Sequence, residues 1–78
     1  MARVYFESKI LAWACYLPNG GLLRVGLHTG KTCDYFDVPA GIYRDLLAAQ
    51  SKGRYFNQHI RNAFRYQEVC SASAPLQN

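Results

Sequence analysis

Arg54, Gln58, Arg61 and Arg65 follow one another at spacings of four, three and four. On a continuous helix those intervals line one side. Phosphate backbones are held by several cations on one surface, each contact releasing counterions. Lys52 stands at the start of the same segment, where a helix N-terminus adds positive potential. Asn57 and Arg61 are both capable of bidentate polar recognition. Tyr55, Phe36 and Tyr66 offer rings on which bases stack. The candidate nucleic-acid-binding residues are therefore Lys52, Arg54, Tyr55, Asn57, Gln58, Arg61 and Arg65. The same spacing also describes a solvated helix face that keeps a small domain soluble, and Asn57 can equally bond to backbone at a helix junction. Spacing alone leaves these readings open.

Other chemistry is thinly represented. His28 and His59 are the only histidines, one in a turn and one on the second predicted helix, and nothing brings them together as an acid–base pair. Cys15, Cys33 and Cys70 form neither a Cys-x-x-Cys knuckle nor, with the histidines, a zinc spacing. There is no phosphate loop, Rossmann glycine pattern or nucleophile elbow. No catalytic residues, metal or cofactor are expected. The odd cysteine count, without a signal-peptide pattern, points to reduced thiols in a cytoplasm. No stretch is long and apolar enough to span a membrane.

The net charge of +4 favours anionic partners mildly. Its distribution says more. Residues 46–67 hold Lys52, Arg54, Arg61 and Arg65 with no carboxylate, whereas Asp34, Asp37 and Asp45 come earlier. Half the 78 residues are apolar and eleven are aromatic (one Trp, six Tyr, four Phe), enough for one small core.

The elements that would position these residues follow from periodicity. Residues 10–16 read as a strand with Trp13 and Cys15 facing the core. Leu17-Pro18-Asn19-Gly20-Gly21 is a turn. Residues 22–27 and 32–36 read as two further strands, with Val25 opposite Tyr35 and Leu27 opposite Cys33. The connection around His28-Thr29-Gly30-Lys31 suits a type I turn closed by a bulge, with Gly30 left-handed. Pro39 opens a helix at its first position, running to about Ala49 with an apolar stripe of Ile42, Tyr43, Leu46 and Leu47. Ser51 caps a second helix from Lys52 to about Arg61, with Gly53 a weak spot in its first turn. Residues 1–9 form a lead-in whose Arg3-Val4-Tyr5-Phe6 suits a short edge strand. Residues 64–69 return as an extended segment, and 70–78 read as a disordered tail.

The fold class is thus α+β: a three-stranded antiparallel β-meander followed by two α-helices packed on one face. Trp13, Leu23, Val25, Leu27, Tyr35, Ile42, Leu46, Leu47, Phe56 and Ile60 should supply most of the core. Tyr16 and Phe36 fall on the opposite sheet face beside Arg24, either as a stacking platform or as cross-strand packing. Ala12, Ala14, Leu22 and Gly26 make that face small and apolar, which suits a face covered by the N-terminal segment or by a second subunit.

Residues 8–69 resemble the KTSC domain, named for the C-terminal segment of some lysyl-tRNA synthetases and also met as small stand-alone proteins of bacteria and their phages. The resemblance lies in the Gly30 turn, Tyr35 with Val38-Pro39, Tyr43, Ala49-x-Ser51-x-Gly53 and Tyr55-Phe56-Asn57-x-x-Ile60-Arg61. One position departs. The family centres on a Tyr-x-Tyr pair, and here its first tyrosine is Cys33. The resemblance implies a non-enzymatic binding module with RNA or tRNA as partner. The alternative is a protein-interaction or homodimerising accessory protein of bacterial or phage origin with no nucleic-acid role.

Overall fold

A computed structural model describes residues 3–69. The expected tail at 70–78, with Cys70, lies outside the described residues. In chain order the elements are β1 (Val4–Tyr5), β2 (Leu11–Leu17), β3 (Leu22–Leu27), β4 (Thr32–Tyr35), α1 (Ala40–Ala48), α2 (Lys52–His59) and β5 (Tyr66–Val69). The fold class is α+β, but the antiparallel sheet has five strands, in the order β1-β2-β3-β4-β5, rather than three. The two added strands are the lead-in, which pairs with β2, and the segment returning from α2, which pairs with β4.

The β3–β4 hairpin keeps its expected turn and changes its register. The Gly30 amide donates to the Leu27 carbonyl at 2.9 Å, the Leu27 amide to the Lys31 carbonyl at 2.8 Å, and Gly30 adopts φ 98°. That is a three-residue loop closed by a glycine bulge. Leu23 therefore lies opposite Tyr35 and Val25 opposite Cys33, two residues short of the expected pairing. A two-residue shift preserves side-chain parity, so all four still face the core.

In β2 the facing is reversed. A bulge between Leu11 and Trp13 inserts one extra residue, and beyond it Trp13 pairs with Gly26 and Ala14 with Val25. Leu11 and Ala14 are buried in the core, and Tyr16 packs against it. Trp13 and Cys15, expected inside, are carried to the outer face, and Tyr16, expected outside, joins the helix side. The Tyr16 hydroxyl donates to the Val38 carbonyl at 2.6 Å and its ring stacks on Tyr43 at 5.1 Å. Trp13 occupies the space beside Gly26, where a Cβ would overlap the indole, and Arg3 covers the ring at 3.9 Å. Beside it Arg24 grips Asp34 through two hydrogen bonds of 2.6 and 2.9 Å.

The core is built from Phe6, Leu11, Ala14, Leu23, Val25, Cys33, Tyr35, Val38, Leu46, Phe56 and Ile60. Ile42 and Leu27 pack at its margin, and Leu47, expected inside, is 36% exposed. Leu46 is the one fully buried residue of α1, with Ile42 and Tyr43 partly buried against the core. Pro39 stands at the N-cap of α1 rather than inside it. Ser51 caps α2, accepting from the Arg54 amide at 3.3 Å. Gly53 is no weak spot: a Cβ there would meet Ile10 Cδ1 at 3.1 Å and Ser8 Oγ at 3.3 Å, so the bare backbone lets the lead-in lie against α2.

The Trp13–Gly26 contact sets a test. Gly26→Ala should destabilise the fold by about 1–3 kcal/mol, because the added methyl displaces the indole. A urea midpoint equal to that of the parent protein would refute the contact.

Candidate nucleic-acid interface

Helix α2 is short, and this divides the expected basic stripe. It ends at His59 with Ile60 as its C-cap, instead of continuing to Arg61. Two carbonyl-bound amides, Ile60 and Arg61 to Phe56, close the last turn, and the chain bends before β5. Arg61 therefore sits on the turn beyond the helix. Arg65 lies near the start of β5, its carbonyl accepting from the Phe36 amide at 2.9 Å. Its guanidinium rests 5.4 Å from the Phe36 ring and 3.6 Å from the Asp37 carboxylate, a solvent-exposed pair of small energetic weight. Arg65 and Phe36 thus form a separate cluster.

The remaining candidates are distributed around α2. Arg54, Asn57 and Gln58 line a groove of about 790 Å³ between α2 and the segment Tyr5–Ile10, which also carries Lys9 and Glu7. Lys52 lines it too, but its ammonium donates to the Ala49 carbonyl at 2.6 Å and lies 5.8 Å from the Phe6 ring. It caps the C-terminal end of α1, where the helix dipole favours a cation. Tyr55 packs against the core and lies tilted against His59 at 4.5 Å between ring centroids, and burial pushes its hydroxyl up. Its ring is engaged within the fold. Asn57 accepts from Arg61 Nη1 at 3.4 Å, so the Asn–Arg pair is real, with Asn57 steadying the arginine.

Arg61 opens on a second groove of about 580 Å³. Its walls are the end of α2, the β3–β4 turn and the helix-facing side of β4 and β5. The cationic side chains around it are Lys9, Lys31 and Arg61, with His28 beside them, and Glu68 is the carboxylate. Tyr35, Tyr66, Cys33 and Phe56 supply the apolar lining. The tyrosines are fixed by packing: Tyr35 meets Phe56 edge-on at 5.6 Å and stacks on Tyr66 at 5.4 Å. Tyr35 is 3% exposed and Tyr66 58%. Cys33 is buried at the groove floor, directly across from Glu68 on β5. Burial pushes its thiol up, Glu68 adds to the shift, and Lys31 opposes it.

Lys9, Lys31 and Glu68 were not among the sequence candidates. They are far apart in the chain, and only the β4–β5 pairing and the lead-in's place against α2 gather them. Among the described residues, no group of three His, Cys, Asp or Glu side chains is arranged to hold a metal ion, and no helix is long and apolar enough to cross a membrane.

Comparison with known proteins identifies the family and supports the fold. Residues 7–64 match the KTSC domain family. The chain belongs to that family. A protein from Tsukamurella paurometabola is 37% identical over 59 residues, covering 76% of this chain and 88% of its own length. An uncharacterized protein from Stutzerimonas stutzeri is 34% identical over 70 residues, 88% of this chain and 99% of the relative. A lysine–tRNA ligase of Nostoc punctiforme shares 29% identity over 63 residues; the match covers 81% of this chain but only 11% of the ligase. The crystal structure of a KTSC domain protein from Yersinia pestis superposes with a TM-score of 0.82 at 26% identity, over 87% of this chain and 96% of that one. The KTSC domain is thus both a small independent protein and a minor part of larger ligases.

The buried tyrosine at the heart of the second groove gives a pH test. Burial pushes the Tyr35 hydroxyl up to about 12, with Cys33 and Tyr66 adding and Arg61 lowering. Between about pH 10 and 12 the unfolded chain has released a phenol proton that the folded chain still holds, so stability falls as pH rises. The loss attributable to Tyr35 should approach roughly 2–3 kcal/mol by pH 12. Urea midpoints of Tyr35→Phe should decline less over that window than those of the parent protein. Parallel declines would remove Tyr35 as the cause.

Proposed function

We propose that this KTSC domain is a non-enzymatic binding module for RNA. The observation that carries the reading is the ring of Lys9, Arg54, Lys31 and Arg61 around α2, combined with the exposed ring of Tyr66. Asp34 is held by Arg24 away from this surface, and Glu7 and Glu68 are the carboxylates among the groove linings, one to each. Phosphates on a cationic rim and bases on an aromatic ring are the two elements of single-strand recognition. The occurrence of the domain in lysine–tRNA ligases supports a tRNA as the natural class of ligand. Within this surface Arg54, Gln58 and Arg61 contact the strand, and Asn57 orients Arg61. Lys52 and Tyr55 support it structurally, and Arg65 lies at its far margin.

The alternative, a protein-interaction or homodimerising module, draws on the two edge strands. Among the described residues, β1 and β5 each have a free edge able to accept another strand. The outer face is a weaker basis for it, because Ala14 and Tyr16 point to the helices and Trp13 fills the space over Gly26. Monomer by light scattering at high concentration would exclude the homodimer.

Salt dependence separates the two. Affinity for a short single strand should fall steeply as salt rises, and Arg61→Ala should lower the slope of log K against log salt by about 0.7, one single-strand phosphate. Amide shifts on titration with tRNA and with the short strand should cluster on α2, the β3–β4 turn and β5. Absence of any shift at low salt would transfer the weight to the protein-interaction reading.

A further inference from the structure

We propose that the second groove receives one unpaired nucleobase of single-stranded RNA, guanine in preference to the other three. The base lies over Cys33 against the Tyr35–Tyr66 stack, its Watson–Crick edge meets Glu68, and the flanking phosphates rest on Lys31 and Arg61. This rests on the RNA-binding reading and names the nucleotide that the groove selects.

Space comes first. The open groove offers about 580 Å³, and the short side chain of Cys33 lies among its bulkier lining residues. A larger side chain at that position would occupy the room that a base needs. The π surface comes second. Tyr66 keeps 58% of its surface exposed while its ring stacks on Tyr35, which is itself clamped by Phe56. An aromatic held from behind loses little entropy when a base stacks on it.

Charge then orients the ligand. Glu68 lies directly across from Cys33, in a groove whose other charged side chains are cationic. A carboxylate repels phosphate, so the backbone is confined to the side of Lys31 and Arg61, and the base edge is left facing Glu68. Ionised carboxylates only accept hydrogen bonds. Guanine is the one base with two adjacent donors on its Watson–Crick edge, N1–H and the N2 amino group, and these match the two oxygens of a carboxylate. Adenine and cytosine offer an amino group beside an acceptor, and uracil a single N–H between two acceptors. Each of those leaves an acceptor facing the carboxylate. Arg61 is pre-positioned for its phosphate by the bond from its Nη1 to Asn57.

The test uses the full chain and four pentaribonucleotides, UUGUU, UUAUU, UUCUU and UUUUU, titrated at low salt and followed by amide NMR. UUGUU should bind roughly tenfold more tightly than the others, with the largest shifts at Cys33, Tyr66 and Glu68. Glu68→Gln, an exposed substitution, should abolish the preference while retaining binding. Cys33→Tyr should fill the groove and remove both the preference and the shifts at Tyr66. If Cys33→Tyr fails to fold, Glu68→Gln alone decides. Equal affinity for all four strands, or shifts confined to Arg54 and Gln58, would overturn the guanine groove and leave RNA binding standing. No binding of any strand would overturn both.

Discussion

Tyr35 is the residue through which the parts of this fold meet. Its ring forms a T-shaped pair with Phe56 of α2 and stacks on Tyr66 of β5. The sheet, the second helix and the returning strand are thereby joined at one buried aromatic. Aromatic pairs in such geometries contribute beyond their buried area. The groove beside them inherits this rigidity. Its floor and one wall belong to packed core residues, and its rim carries the polar side chains. This division suits a site that recognises a flat ring and a flexible backbone together.

The other determinant is the single extra residue in β2. Before the bulge Leu11 faces the core; after it Ala14 and Tyr16 do. Trp13 is therefore expelled to the outer face, where Gly26 leaves room for the indole and Arg3 covers it. The rephasing places Tyr16 where its hydroxyl reaches the Val38 carbonyl, the backbone just ahead of α1. Strand and helix start are thus tied by one hydrogen bond and the Tyr16–Tyr43 stack. Strict alternation has no means of anticipating a bulge, since nothing in Leu11-Ala12-Trp13 differs from a regular strand. The one local hint is the glycine on the neighbouring strand, and glycine in a strand has several meanings.

The electrostatic arrangement is similarly distributed. Arg24 and Asp34 form a cross-strand pair on the outer face, and the bond to Asp34 raises the Arg24 pKa further above its ordinary value. Lys52 neutralises the end of α1. The cations left over line the grooves about α2 and the hairpin turn, alongside Glu7 and Glu68. The run of residues 46–67 without a carboxylate suggests a basic stripe but does not show its shape. A stripe along one helix became two grooves on either side of it, because α2 stops at His59.

Local chemistry explains what could be read directly. Gly30 in a bulged turn, Ser51 as an N-cap, the two short helices, and Phe56 and Ile60 as core all depend on side chains acting within a few residues of themselves, where spacing is geometry. The family membership is legible for the same reason, being a set of such short signals in order. The facing of β2, the two added strands, the close approach that requires Gly53, and the gathering of Lys9, Lys31, Arg61 and Glu68 belong to the tertiary structure. Each depends on partners far apart in sequence. Their juxtaposition is set by the pairing of whole strands and by which aromatic ring fills which space, and those choices are made collectively by the core.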